Sequence, residues 1–130
     1  MDYRLTSWDD LAVGQRARFA KTITEADLSH FIAFTGDVNP LHVDQEFARR
    51  TFFGQRIAHG MLSASLFSTL IGMQLPGTGA IFKSQTLEFL RPVYLGDTLT
   101  AEMEISAIDR QAEQVRLKAQ IHNQRGEAVI

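Results

Sequence analysis

Two titratable side chains, Asp37 and His42, lie five positions apart in the stretch FTGDVNPLHVD, residues 34–44. An aspartate can accept a proton, and a histidine can donate or accept one near neutral pH. Gly36 and Pro40 in the same stretch favour a short loop over a helix. Such a loop, stiffened by proline, could hold both side chains around one water molecule. The pattern is therefore compatible with proton-transfer chemistry.

The same residues also admit structural interpretations. Asp37 can close or cap its own turn, and His42 can be an interior histidine with satisfied hydrogen bonds. A third interpretation takes Asp37, His42 and His59 as a two-histidine, one-carboxylate metal site. Their spacing matches no compact metal motif, so we expect no metal ion.

A second candidate feature is the start of AHGMLSASLFSTLIGMQL, residues 58–75, which is apolar on nearly every face and predicts a long buried helix. If Gly60 lies in the first turn, its backbone N–H is an unpaired donor at the positive end of the helix dipole. Without a Cβ atom, glycine also lets a ligand approach closely, as in an oxyanion hole. The alternative is that Gly60 lets the helix start pack tightly. We interpret His59 as a structural hydrogen-bonding residue.

The neighbouring segments predict an α+β fold. Residues 98–108 and 114–122 alternate apolar and polar positions, which predicts antiparallel strands with one face in water. Residues 14–23 and 80–90 follow this pattern less cleanly and are predicted as further strands. The alternation of apolar and polar residues therefore predicts a sheet of four or five strands that packs against the long helix.

Two shorter helices are predicted before the long one. The sequence TEAD, residues 24–27, has the form of a capping box and begins a helix that ends near Gly36. Residues 44–50 can form a short helix capped by Asp44. These helices flank the loop that carries Asp37 and His42.

Composition predicts a soluble globular protein with a single domain, residues 1–130. Apolar residues make up 45% and charged residues 22% of the 130 residues, and the net charge of −2 indicates neither nucleic acid nor an anionic membrane as a partner. There is no cysteine, which excludes disulfides and thiolate nucleophiles and fits a reducing compartment. The N-terminal stretch MDYRLTSWDDL lacks the pattern of a secretion signal. We expect a cytoplasmic protein.

A small sheet wrapped on one helix leaves edge strands exposed. Pairing two such sheets edge to edge in a homodimer would cover some of those edges. The sequence therefore predicts a homodimer.

The motifs FTGDVNPLHVD and AHGML, followed by a helix and FLRPVYLGDTLTAEMEI, together resemble the R-specific enoyl-CoA hydratases of the MaoC-like dehydratase family. The likeness extends from about Leu5 to Val129, and the combination D-x-N-P-x-H with A-H-G is specific. It is strongest to the short bacterial hydratases that feed β-oxidation intermediates into polyhydroxyalkanoate synthesis. In the family, the last strand usually continues beyond the position of Ile130. The resemblance therefore does not define the sheet edge and part of the acyl pocket in this sequence.

This resemblance implies the hot-dog fold, a curled antiparallel sheet around one long helix, in a homodimer. It also implies hydration of trans-2-enoyl-CoA to (R)-3-hydroxyacyl-CoA without a metal or redox cofactor, coenzyme A being part of the substrate. The family's motif aspartate and histidine correspond to Asp37 and His42, and its oxyanion-hole N–H corresponds to Gly60. Its acyl-pocket positions correspond to Ser68 and Ile71.

Other functions are compatible with the same fold. They are thioester hydrolysis, dehydration of a specialised hydroxyacyl-CoA, and acyl-CoA binding without catalysis. An intact set of Asp37, His42 and Gly60 argues against a pure binding protein, which needs no proton-transfer pair. Asn39 is interpreted as shaping the loop, and Arg91 either contacts the coenzyme A phosphates or is a solvated turn residue. The sequence fixes neither acyl chain length nor the choice between coenzyme A and acyl carrier protein.

Overall fold

A computed structural model describes residues 3–130, so the first two residues of the stretch assessed for a secretion signal lie outside the described residues. None of the helices within residues 3–130 has the length and apolar character needed to cross a membrane. The elements, in chain order, are a 3-10 helix Trp8–Asp10, β1 Arg16–Thr22, α1 Glu25–Thr35, α2 Pro40–Val43, α3 Gln45–Arg49, α4 Gly60–Ala64, α5 Leu66–Met73, β2 Thr98–Asp109 and β3 Gln114–His122.

The three strands form one antiparallel sheet with β2 in the middle. Their bounds confirm the strands predicted at 14–23, 98–108 and 114–122. The outer face carries cross-strand ion pairs, such as Arg16 with Glu104 at 2.8 Å. Because successive side chains of a strand point to opposite faces, the alternation in β2 determines which face meets the core. The inward face of β2 presents Leu99, Ala101, Met103 and Ile105.

Helices α4 and α5 provide the central helix, and α5 packs against β1 and β2. They are separated only by Ser65, so the helix predicted at 58–75 is present but shorter, and it has one break. Leu70 is fully buried in the core between helix and sheet, and its replacement by alanine should cost about 2–5 kcal/mol. This arrangement confirms the predicted α+β fold, in which an antiparallel sheet packs against a central helix.

The first helix begins and ends at the predicted signals. Thr24 Oγ1 accepts a hydrogen bond from the Asp27 N–H, and Asp27 Oδ2 accepts one from the Thr24 N–H, which completes a capping box. Gly36 ends α1 in the left-handed conformation, with φ of 74°. Burial raises the pKa of Asp27, but hydrogen bonds from Lys21 and Thr24 outweigh it and hold the pKa below its ordinary value.

Residues 80–90 differ from the prediction. They pair with no strand of residues 3–130, and their backbone hydrogen bonds are confined to the two ends of the segment, where Ala80 N donates to Gly77 O and Leu90 N donates to Val129 O. Alternating residue types indicate an extended backbone, but a strand also needs the hydrogen bonds of a neighbour. The predicted fourth strand is therefore wrong for the single chain, whose described sheet has three strands. The segment exposes Ile81, Phe82, Phe89 and Leu90.

Candidate active site

The backbone that carries Asp37 is held by side-chain hydrogen bonds instead of a strand ladder. After Gly36, the Asp37 N–H donates to Thr35 Oγ1 at 3.2 Å. Asp37 Oδ1 then accepts from the Asn39 N–H at 3.1 Å, as in an Asx turn. The Asp37 side chain is half exposed, and its other carboxylate oxygen, Oδ2, lies 3.8 Å from His59 Nε2. The segment therefore presents a carboxylate from a defined turn.

His42 lies on α2, a single helical turn where the sequence predicted a loop. Pro40 occupies the first turn, and Asn39 Oδ1 accepts from the Leu41 N–H, which caps the helix. Proline is accommodated there because the first helical N–H groups have no partner within the helix. The interpretation of Asn39 as a residue that shapes the local backbone agrees with this contact. The loop prediction was wrong at this point because proline excludes a helix interior but not a helix start.

One ring nitrogen of His42 is fixed by the backbone. Nδ1 lies 2.7 Å from the carbonyl oxygen of Ile57. A carbonyl oxygen can only accept, so Nδ1 carries the hydrogen and Nε2 carries the lone pair. The Ile57 N–H in turn donates to Leu41 O at 3.1 Å, which ties α2 to the strand-like stretch before α4. The buried His42 ring is thus set in the tautomer that can accept a proton at Nε2.

Arg56 attaches the same short helix to α1. Its Nε donates to His42 O at 2.9 Å, and Nη2 lies 2.7 Å from both carboxylate oxygens of Glu25. The Arg56 side chain is only 18% exposed. A planar guanidinium can make both contacts at once, which a lysine cannot. Arg56 therefore fixes the carbonyl end of α2 relative to the start of α1.

His59 completes a cluster with the two predicted residues. A carboxylate oxygen of Asp37, a ring nitrogen of His42 and a ring nitrogen of His59 all lie within 4.8 Å of one another. The His59 ring stacks on His42 with centroids 3.7 Å apart, and its other side meets Phe31 at 4.8 Å. The sequence suggested a structural role for His59 but not this contact with His42. Stacking across 17 positions of chain has no local signal.

One feature of the cluster, the stacking of its two imidazole rings, argues against a metal ion. In a histidine ligand the lone pair lies in the ring plane, and the planes of His42 and His59 are stacked within 27° of parallel. Lone pairs of two stacked rings point nearly side by side, an arrangement that does not favour a shared metal ion. The second nitrogen of His59, Nδ1, is buried and has no hydrogen-bond partner within residues 3–130. The geometry thus favours acid–base chemistry over metal binding.

Gly60 begins α4 immediately after His59. Within the described chain, its N–H donates to no backbone oxygen, as expected for the first residue of a helix. A Cβ atom placed on Gly60 would lie 2.8 Å from Cε1 of Phe89, so the ring occupies the space that a side chain would need. The N–H without a backbone acceptor fits the prediction of an open donor. The contact with Phe89 fits the alternative, in which Gly60 lets the helix start pack tightly.

The remaining predicted positions lie further along the helix. Ser68 is exposed and Ile71 is half buried against the core, both on α5. Ser68 is eight residues beyond Gly60, which corresponds to about 12 Å of helix. The structure thus does not bring Ser68 or Ile71 into the Asp37 cluster. Arg91 is engaged elsewhere, with Nη1 donating to Ala128 O and Nε 3.5 Å from Glu127.

Known proteins share this sequence and architecture. The family description MaoC like domain matches residues 10–125. An (R)-specific enoyl-CoA hydratase of Aeromonas caviae is 44% identical over 124 residues, which are 95% of this chain and 92% of that protein. An (R)-specific enoyl-CoA hydratase of Rhodospirillum rubrum is 45% identical over 107 residues, covering 82% and 74%.

Solved structures agree with the sequence matches. The (R)-hydratase of A. caviae involved in PHA biosynthesis superposes with a TM-score of 0.88 at 45% identity, covering 92% of this chain and 90% of that one. An R-hydratase of Pseudomonas aeruginosa in its unliganded form gives a TM-score of 0.90 at 44% identity, covering 96% and 80%. These likenesses confirm the predicted hot-dog fold. The chain belongs to the MaoC-like dehydratase family.

Proposed function

We propose that this protein is an R-specific enoyl-CoA hydratase, a hydro-lyase that adds water reversibly across trans-2-enoyl-CoA to give (R)-3-hydroxyacyl-CoA. The observation that carries the proposal is the half-exposed Asp37 carboxylate beside His42, whose Nδ1–H is held by Ile57. The names of the Aeromonas and Rhodospirillum relatives support the same reaction. We place the enzyme between fatty-acid β-oxidation and the supply of polyhydroxyalkanoate precursors, because the Aeromonas hydratase that it resembles is involved in PHA biosynthesis.

In the proposed mechanism, Asp37 and His42 hold one water molecule between the carboxylate and Nε2. The pair takes a proton as the water oxygen attacks C3 of the enoyl group. Electrons move onto the thioester oxygen, and the pair returns a proton to C2. The two groups act as one proton-transfer unit, so we assign the proton to the pair and not to either residue alone. General acid–base catalysis of this kind typically contributes 10²–10⁴-fold.

The thioester oxygen needs a donor while negative charge develops on it. We assign this role to the N–H of Gly60, an exposed residue that begins the central helix directly after His59. A fixed backbone donor of this kind stabilises the enolate-like transition state by a few kcal/mol, approximately. None of these steps uses a metal ion or a redox cofactor, and coenzyme A enters as part of the substrate. Ser68 and Ile71 are proposed to contact the acyl chain further along the helix.

We also propose that the enzyme works as a homodimer in the cytoplasm. The support is a set of large apolar side chains that a single chain leaves in water. Two lie on helices α1 and α4, two lie in the segments between these helices, and one lies on the unpaired segment 80–90. Burying them against a second copy would remove a large apolar area from water, which drives association. The members of this apolar set are Phe34, Val38, Phe52, Met61 and Ile81.

The first test is the reaction itself. Purified protein is mixed with trans-2-butenoyl-CoA, and loss of the conjugated enoyl-thioester absorbance is followed before the product is resolved on a chiral column. The proposal predicts rapid loss and the R product. Release of free coenzyme A would indicate a thioesterase instead. A folded protein that hydrates no enoyl-CoA from four to twelve carbons would overturn the proposal and favour a binding protein.

A further inference from the structure

His59 is buried at the site, yet the proposed mechanism gives it no step. Its side chain is 3% exposed and lies between Phe31 and His42. Burying an imidazole costs free energy unless its polar atoms find partners. The contacts that His59 makes therefore indicate what the residue does.

The hydrogen bond of His59 is to the Asp37 backbone. Nε2 lies 3.1 Å from Asp37 O and 3.8 Å from Asp37 Oδ2. Only the first distance is a hydrogen bond. The carbonyl must accept, so Nε2 carries the hydrogen, and the Asp37 carboxylate remains available for another partner. His59 therefore holds the main chain of Asp37 without occupying its acid group.

The other ring nitrogen of His59, Nδ1, holds no neighbouring group in place. Nδ1 is buried and has no hydrogen-bond partner within residues 3–130. Buried polar atoms are usually paired. The sequence thus keeps an imidazole at a place where half of its hydrogen-bonding capacity is unused. A requirement for the Nε2–H and for a flat ring against His42 would account for this.

We propose that His59 is a positioning residue for the Asp37–His42 pair. Its Nε2–H fixes the peptide of Asp37, and its ring fixes the plane of His42, so that carboxylate and imidazole meet the same water molecule. This inference rests on the proposed hydratase function. A displacement of about 1 Å at such a pair can lower turnover by about 10²-fold.

The test uses side chains that separate the donor from the ring. In His59→Gln the amide nitrogen can reach the position of Nε2, whereas in His59→Asn it reaches only the position of Nδ1. His59→Phe keeps a flat ring and removes the donor. We expect kcat to fall about 10–100-fold in the Asn and Phe variants and less than about 10-fold in the Gln variant, with KM within about threefold.

Ser63→Ala is the matched control. Ser63 is also fully buried on α4, and its Oγ has no partner within the described chain. Removing this hydroxyl should leave kcat unchanged. If His59→Phe does not fold, the Gln and Asn variants still test the donor, since both are polar amides. A Gln variant no more active than the Asn variant, or Asn and Phe variants as active as wild type, would overturn the inference.

A second measurement does not depend on activity. The Asn39 N–H donates to Asp37 Oδ1, so its hydrogen exchange reports whether the turn is held. We expect faster exchange in the Asn and Phe variants, and wild-type exchange in the Gln and Ser63→Ala variants. An inactive wild type with this exchange pattern would contradict the hydratase proposal alone. An active wild type whose variants lack the pattern would contradict the role of His59 alone.

Discussion

Residues 36–44 and residues 80–90 both lie outside the sheet, but they are held in different ways. In the first segment, peptide and side-chain groups of Asp37, Asn39 and His42 bond to one another or to the body of the protein. In the second, backbone hydrogen bonds occur only at the ends, and Ile81 is 89% exposed. Irregular backbone can be rigid where its polar groups are paired locally. The segment that carries Asp37 and His42 is therefore held within one chain, whereas the middle of residues 80–90 has no backbone hydrogen bond within the described chain.

The largest effect is expected where the first segment presents its acid and base. Asp37→Asn and His42→Ala should each lower kcat about 10²–10⁴-fold while the protein stays folded, because each removes a proton-transfer group. Turnover and circular dichroism would be measured together. Asp44→Asn is the matched control, since Asp44 caps α3 through Oδ1 and asparagine caps equally well. Wild-type turnover in either site variant would exclude the proton-transfer pair.

A smaller effect should follow from loosening the same segment at Arg56. Arg56→Ala removes the bond to His42 O and the contact with Glu25, and should lower the free energy of unfolding by about 1–3 kcal/mol. Urea unfolding would measure this change. Glu25→Gln keeps the bond to His42 and removes an ion pair whose acid is 65% exposed, so it should cost less than about 1 kcal/mol. Equal losses in both variants would show that the bond to His42 contributes nothing.

The second segment should respond through association. Ile81→Asp and Phe82→Asp place charge on the exposed apolar surface and should raise the dimer dissociation constant at least about tenfold. Sedimentation measures this directly. Ala20→Asp adds the same charge on the outer face of the sheet and should leave association unchanged. A wild-type protein that is monomeric at every concentration would show that residues 80–90 are not covered by a second copy.

The smallest effect concerns α1, which leads into the first segment. The pKa of Asp27 is below its ordinary value in the folded protein, so its ionised form stabilises the fold. That stability is present above the unfolded pKa and is lost as the pH falls through the lowered folded value. Asp27→Asn should cost less than about 1 kcal/mol at pH 7, and the difference from wild type should vanish in acid. A constant difference across pH would assign the effect to packing.

Local signals predicted much of the fold and of the site. The period of two located β1, β2 and β3, and the TEAD capping box located α1, because both depend on residues close in sequence. The spacing of Asp37 and His42 identified the two groups that the structure brings together with His59. The stacking of His42 on His59 and the hydrogen bonds of Arg56 to His42 and Glu25 were not predicted. Each of these contacts joins residues that are distant in the chain. Residues 80–90 were wrongly predicted as a strand, because strand pairing depends on which segment lies beside them in the fold.

The contact between Gly60 and Phe89 constrains how this sequence can change. Phe89 fills the space beside Gly60, so even a methyl group at position 60 meets the ring at 2.8 Å. A library randomised at position 60 alone should return glycine. One randomised at both positions should also return alanine at 60 paired with a smaller residue at 89. Positions 60 and 89 are therefore best varied together when the start of the central helix is redesigned.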